Sequence, residues 1–350
     1  MEKRYGVLVV DDSAFMRKTI SSMIEDSPDF FVIGRARNGV DAIDKVKRFK
    51  PAIVTLDIEM PELNGLETLE ILMNEYPVPV VMLSNGADST LEAFELGAVD
   101  FVIKEQLIQQ NDGLLLEDFY RRLTAAATAK LPTPLKKTAE EASPVEIIKE
   151  APHQKNNSNK DILIIGSSTG GPAALQTILT RFPAELSVPV LVIQHMPPGF
   201  TKPLADRFDG LCSLRVKEAE HNEILQPGTI YIAPAGLQTT LKKNVEGEYI
   251  VRLKITSNIE TLYKPSIDVT LLSIAAEAGV GLLTVILTGM GDDGLRGCTS
   301  VKKSGGMILA ESEETCIVYG MPKVVFEAGL VDKQLPLPLI FNQIMTIVYN

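Results

Sequence analysis

Twice along this chain, short β-branched runs alternate with segments of helical spacing, and a stretch that does neither lies between. In the first region the runs are Val7 to Val10, Ile53 to Leu56, Val78 to Leu83 and Val99 to Ile103. Strands that are apolar on both faces belong in a parallel sheet covered on both sides. Between them, apolar residues fall three and four apart, as Phe15, Met16, Ile20, Met23 and Ile24 do after Ser13; similar segments follow Asn38, Asn64 and Gly86. Strand and helix in turn predict a doubly wound α/β domain over residues 1–124. From 125 to 159 the pattern fails. Pro132, Pro134, Pro144 and Pro152, a KNNSNK run and the lack of aromatic residues predict a semi-extended linker, with one helical turn at most near Glu146 to Glu150. From Lys160 the rhythm resumes, with apolar runs ending at Ile165, Ile193, Ile232, Leu287 and Leu309, and predicts a second α/β domain over residues 160–350.

Composition narrows the function. Lys and Arg number 34 against 45 Asp and Glu, a formal net charge of -11. That balance speaks against a broad phosphate-backbone surface, so nucleic acid is not an expected partner. Cys212, Cys298 and Cys316 are odd in number and far apart, giving neither a disulfide framework nor a CxxC metal pair; a reducing cytoplasm is the expectation. The first apolar run ends in two aspartates instead of extending as a signal peptide does. The longest apolar stretch, Ala278 to Met290, is too short to span a bilayer, so the chain is not expected to insert in a membrane.

Chemistry gathers at strand ends. Asp11 and Asp12 follow VLVV directly, and Asp57 follows IVTL. The carboxyl ends of strands line the ligand crevice of an open α/β sheet. Hard oxygen ligands converging there suit Mg²⁺. Ser84 after VVML and Lys104 after DFVI add a hydroxyl and an ammonium, which stabilise the oxygens of a phosphoryl group on Asp57. A single strand-end Asp such as Asp12 is as often turn chemistry or a helix cap; five such residues at successive strand ends point to a site.

VVDDS, LDIEMPELNG, MLSN and DFVIKE resemble the receiver domains of two-component response regulators, over roughly residues 5 to 105. The resemblance implies a flavodoxin-like fold, bound Mg²⁺ and phosphorylation of Asp57 by a histidine kinase. It makes Asp11 and Asp12 the acidic metal pair and gives Glu59 a backbone carbonyl toward the metal. Ser84 and Lys104 become the switch hydroxyl and lysine, and Phe101 the switch aromatic. Asn64 stands at a turn position where many members have Asp. Glu105 replaces the common Pro after the lysine, which puts the isomer of that peptide in question.

In the second region, ILIIGSSTGGP carries G-x-S-x-G after a strand, with Ser168 in the middle. Small residues there allow a sharp strand-to-helix turn that presents a serine, and the helix N-terminus favours an oxyanion. A phosphate-binding turn is equally compatible. Of His153, His195 and His221, only His195 follows a strand, VLVIQ, which makes it the best general base in the chain. Asp292 and Asp293, in TVILTGMGDDG, offer an acid to orient it. The order Ser, His, Asp differs from the Ser, acid, His order of the α/β-hydrolase fold, so that fold is not expected.

GSSTGGP, QHMPPGF, YIAPAG, KPSID and ILTGMGDDG resemble the catalytic domain of the chemotaxis protein-glutamate methylesterases, the CheB family. The resemblance implies an α/β domain with a mainly parallel sheet and a triad of Ser168, His195 and Asp293. Thr169 and Met290 would supply backbone oxyanion donors, with no cofactor in the esterase site. Ser167 stands where alanine is usual and reads as a bystander. Asp292 replaces a common Asn, and only Lys264 is charged in the Tyr263-Lys264-Pro265-Ser266 loop. The implied substrate is a glutamyl methyl ester on the cytoplasmic helices of a chemoreceptor, a methyl-accepting chemotaxis protein. Methanol is released and certain glutamines are deamidated by the same acyl route, with the receiver obstructing the cleft until Asp57 is phosphorylated. A rival reading makes the second half a nucleotide-binding output domain, with Asp206 or Asp209 as the ribose acid and no role for His195 or Asp293.

Overall fold

The computed structural model describes residues 4–108, 113–131 and 160–349. His153 and most of the expected linker, its turn at 146–150 included, lie outside the described residues.

The first domain runs β1 (Tyr5–Val10), α1 (Ala14–Glu25), β2 (Phe30–Ala36), α2 (Gly39–Phe49), β3 (Ile53–Asp57), α3 (Gly65–Glu75), β4 (Val80–Ser84), α4 (Ala87–Glu95), β5 (Asp100–Ile103), α5 (Lys104–Ile108) and α6 (Gly113–Thr128). Its sheet has the order β2-β1-β3-β4-β5, every pair parallel, which is the flavodoxin-like arrangement. β1, β3 and β4 are buried along almost their whole length, as their unbroken apolar runs require, while β2 at the edge is buried only at its ends. Helix starts follow local chemistry. Ser13 caps α1 and Asn38 caps α2, while Asn64 forms a capping box with Glu67, so amide and carboxylate serve this turn alike. The strand order reverses between β1 and β3, and Asp11, Asp12 and Asp57 leave the sheet at that point.

The expected domain end at 124 falls short. Helix α6 continues to Thr128, because Ala125 and Ala126 are buried and no Gly or Pro interrupts the helix.

The second domain runs β6 (Ile162–Ser167), α7 (Gly171–Leu179), β7 (Val190–Gln194), α8 (Thr201–Leu211), β8 (Arg215–Glu218), β9 (Thr229–Ile232), β10 (Gln238–Lys243), β11 (Tyr249–Lys254), α9 (Ile267–Ala278), β12 (Leu282–Ile286), α10 (Leu295–Lys303), β13 (Met307–Glu311), α11 (Met321–Glu327), β14 (Lys333–Leu335) and α12 (Leu337–Tyr349). Seven strands pair in parallel in the order β14-β13-β12-β6-β7-β9-β8, and β10 and β11 form a separate antiparallel hairpin. The chain builds outward from β6 through β7 and then returns to its other side with β12. The crevice between these strands is the ligand position of such a sheet.

The two domains pack together. Phe101 of β5 lies against Phe200 with ring centroids 4.8 Å apart, and α4 packs on α7 and α8. Glu95 pairs with Arg207, and Lys130 N–H donates to Ile317 O at 3.0 Å.

Candidate active site

At the carboxyl edge of the first sheet, Asp11 and Asp57 are buried and Asp12 is exposed; one oxygen from each lies within 4.8 Å of the others. Lys104 Nζ stands 3.0 Å from Asp11 Oδ2 and 2.8 Å from Asp57 Oδ2. Among the described residues neither Oδ2 receives a directed hydrogen bond, so the lysine charge is their main compensation. Burial pushes the Asp57 carboxyl up to about 6; the Lys104 ammonium opposes this and the Asp11 charge adds to it. A pocket with more anionic oxygen than nearby cation suits a hard divalent ion. Glu59 N–H donates to Asp57 Oδ1 at 3.3 Å.

Ser84 is at the expected strand end, with its hydroxyl engaged by Gly86 and Thr90. Its Oγ lies 2.7 Å from both Gly86 O and Thr90 Oγ1, and accepts the Gly86 N–H at 3.1 Å. Phe101 is buried between Phe94 and Phe200. The only cis peptide among the described residues joins Lys264 to Pro265, so the bond from Lys104 to Glu105 is trans.

On the second sheet, Ser168 follows β6, His195 follows β7 and Asp293 lies beyond β12, so three adjacent strands deliver the three residues to one crevice. His195 Nε2 is 2.8 Å from Asp293 Oδ2, both side chains are buried, and Nδ1 has no hydrogen-bond partner among the described residues. The motif alone left Asp292 and Asp293 open and the family resemblance named Asp293; Asp293 is buried and Asp292 exposed. Asp293 also accepts from Ser266 Oγ (2.8 Å), Ile267 N–H (2.7 Å) and Asp268 N–H (2.9 Å). Burial alone would raise this carboxyl. The His195 ring and the two backbone donors outweigh it and hold the group below the usual carboxylate range.

The Tyr263 ring stacks on the imidazole at 3.9 Å and 3°, so the loop with a single charge contributes an aromatic wall. A Cβ on Gly289 would lie 2.7 Å from the Ser168 Cβ; only glycine lets the 288–290 loop come this close to the serine. Ser168, Thr169, His195 and Met290 line one cleft of about 530 Å³. Asp100, Asp118 and Arg121 of the first domain line it too. Thr169 Oγ1 donates to Asp100 Oδ2 at 2.6 Å, and Arg121 donates to the Tyr263 hydroxyl at 2.7 Å. His221 is exposed and accepts the Leu253 N–H. The rival acids lie on α8: Asp206 pairs with Lys202, and Asp209 accepts the Val216 N–H.

Several residues that hold the crevice together were not singled out from the sequence. Gln194 Nε2 donates to Ser168 O (3.0 Å) and His195 O (3.1 Å), while its Oε1 accepts from Ser167 Oγ (2.6 Å). Ser167 is therefore hydrogen-bonded into the turn that presents Ser168. Thr288 O accepts the Ser168 N–H, Thr288 Oγ1 donates to Thr169 O, and Thr288 N–H donates to buried Glu311. The available signal was a polar residue closing an apolar run, as Gln194 closes VLVI and Glu311 closes MILA.

Fold and crevices define a response regulator whose output domain is an α/β enzyme, and comparison with known proteins agrees. The family described as CheB methylesterase matches residues 163–344, and the response regulator receiver domain matches residues 7–112. The protein-glutamate methylesterase/protein-glutamine glutaminase of Halalkalibacterium halodurans is 42% identical, over 99% of this chain and 99% of its own. That of Lawsonia intracellularis is 39% identical over 98% and 99%. The crystal structure of the Thermotoga maritima CheB methylesterase catalytic domain is 43% identical, covers 54% of this chain and 98% of that one, and has a TM-score of 0.52. The chain belongs to the CheB methylesterase family, with a receiver domain preceding the esterase domain. The fold and family expected from the motifs are the ones found, and the nucleotide-binding alternative is set aside.

Proposed function

We propose that Ser168, His195 and Asp293 form the catalytic triad of a protein-glutamate methylesterase acting on the cytoplasmic helices of a chemoreceptor. The observation that carries this reading is the buried His195–Asp293 pair, whose imidazole lines the same cleft as Ser168. Ser168 Oγ attacks the γ-glutamyl ester carbonyl, and His195 takes its proton at Nδ1. Asp293, kept ionised by its donors, stabilises the imidazolium through Nε2. The N–H groups of Thr169 and Met290 hold the oxyanion. Methanol leaves with the proton from His195, and water activated by the same ring then frees the glutamate. A glutamine amide follows the same course and releases ammonia. Methanol release from methylated receptor membranes, measured for the wild type and for Ser168→Ala, tests the reading. The substitution is expected to abolish release; activity left intact rejects this nucleophile.

Asp57 is proposed as the phosphoryl acceptor from a cytoplasmic histidine kinase. Asp11, Asp12, Asp57 and the Glu59 carbonyl would hold Mg²⁺, which neutralises phosphoryl charge. Lys104 already pairs with Asp57 and is placed to meet the phosphoryl oxygens. The Ser84 hydroxyl would have to leave Gly86 and Thr90 to join it. The chain divides, on this proposal, into a receiver through Thr128, a connecting segment and an esterase domain from Lys160. Receiver residues line the esterase cleft, which supports obstruction of substrate by the unphosphorylated receiver. A fragment starting at Lys160 should release methanol faster than the unphosphorylated full chain; equal rates would reject obstruction.

A further inference from the structure

Asp268 lies in the first turn of α9, buried, and its carboxylate hydrogen-bonds to none of Ser168, His195 and Asp293. Its Oδ1 accepts the N–H of Gly294 (3.0 Å) and of Gly297 (2.7 Å). Those are the N-cap and first-turn donors of α10. Gly294 has φ +106 and no side chain, so α10 begins without a cap of its own. Asp293, one residue earlier, accepts from Ser266, Ile267 and Asp268, the start of α9. Each carboxylate thus caps the other's helix, and the turn carrying Asp293 is held from both sides.

We propose that Asp268 is a positioning residue for the triad: by capping α10 it fixes the turn that aims Asp293 at His195 Nε2. This rests on the triad proposed above. Without the Asp268 acceptor, two N–H groups at the start of α10 lose their partner, and the turn is free to rotate Asp293 off the imidazole. The pairing is tight on the other face as well, since a Cβ on Gly297 would lie 2.6 Å from Leu271. The groups acting electrostatically on Asp268 are Asp293 and Arg296.

The test uses the full-length protein, phosphorylated with a small-molecule donor, and methanol release from methylated receptor membranes. Asp268→Ala is expected to lower kcat about 10²-fold, the cost of a displacement near 1 Å, with KM unchanged. The acidic limb of its kcat/KM profile is expected to move to lower pH, as His195 loses its anionic partner. Asp268→Asn keeps Oδ1 and is expected to stay near wild type. If Asp268→Ala does not fold, Asp268→Glu, which moves the acceptor by one methylene, is read in the same way. Wild-type kcat with an unmoved acidic limb in Asp268→Ala, or in its Glu substitute, overturns the proposal, as does an equal loss in Asp268→Asn. Ser168→Ala run in parallel separates the two readings: its activity must vanish whatever Asp268 does, and if it does not, the triad itself fails.

Discussion

Replacing Phe101 by alanine weakens the grip of the receiver on the esterase domain without touching the triad. The ring is 2% exposed and lies between Phe94 of its own domain and Phe200 of the other. A buried Phe covers about 150–250 Å², and the half facing Phe200 is then about 100 Å². At about 25 cal/mol per Å² this contributes about 2.5 kcal/mol to the closed arrangement, and the aromatic pairing adds roughly 0.5–1.5 kcal/mol. A loss of about 3 kcal/mol moves the closed-to-open ratio about 10²-fold. Methanol release by the unphosphorylated variant should therefore rise toward that of a fragment starting at Lys160, while the phosphorylated rates of variant and wild type converge. Phe200→Ala removes the same contact from the other side and should agree. If the fragment is fast and both variants stay at the wild-type basal rate, the aromatic contact does not hold the domains closed and the reasoning fails.

Three further outcomes follow from the sites. Asp57 keeps its proton to about pH 6 in the fold and to 3.8 when unfolded, so folded receiver binds more protons between these values and its stability falls as pH rises through them. In metal-free buffer at pH 7, Asp57→Asn should raise the receiver's unfolding midpoint by roughly 4 °C, what about 1 kcal/mol gives at this size, with the gap closing near pH 4; no rise at pH 7 contradicts the burial argument. Asp293→Asn should cut kcat by about 10⁴-fold by upsetting the imidazole tautomer; a milder loss, under tenfold in steady-state methanol release, would mean the acid is dispensable. Gln194→Glu puts carboxylate oxygen against the carbonyls of Ser168 and His195, so kcat should fall with KM preserved, and unchanged kinetics would show that this bridge does not set the nucleophile–base spacing.

The strand ends were legible because one apolar run after another closes on a reactive residue, and a parallel sheet delivers its carboxyl ends to one edge. Asp11, Asp57, Lys104, Ser168 and His195 could be picked in this way. Strand-end spacing could not separate Asp293 from Asp292, which only the family resemblance did, since burial of one neighbour and exposure of the other depends on how α9 and α10 pack. Gln194, Asp268 and Thr288 act through backbone atoms of residues that are distant in sequence or lie across a turn, and no spacing rule reports such bonds. The direction of the Ser84 hydroxyl was hidden for the same reason. The alanines at 125–127 read as the start of a linker, yet two of them complete the receiver's helix by packing against it. The contact between Asp100 and Thr169 joins residues 69 apart on separate sheets and exists only once the domains dock.

Strand β5 begins and ends on different partners. Asp100 and Phe101 hold the esterase domain, and three residues further on Lys104 holds Asp57. Linkage makes such a connection symmetrical: if a phosphoryl group on Asp57 loosens the first contacts, then a receptor helix that enters the cleft and displaces them must favour the phosphorylated pocket by the same free energy. Substrate is then an effector of its own enzyme's activation state. Receptor added to a mixture of the protein and phosphoryl donor should raise the fraction of Asp57 that carries phosphate, so substrate would hold the enzyme switched on where its work is.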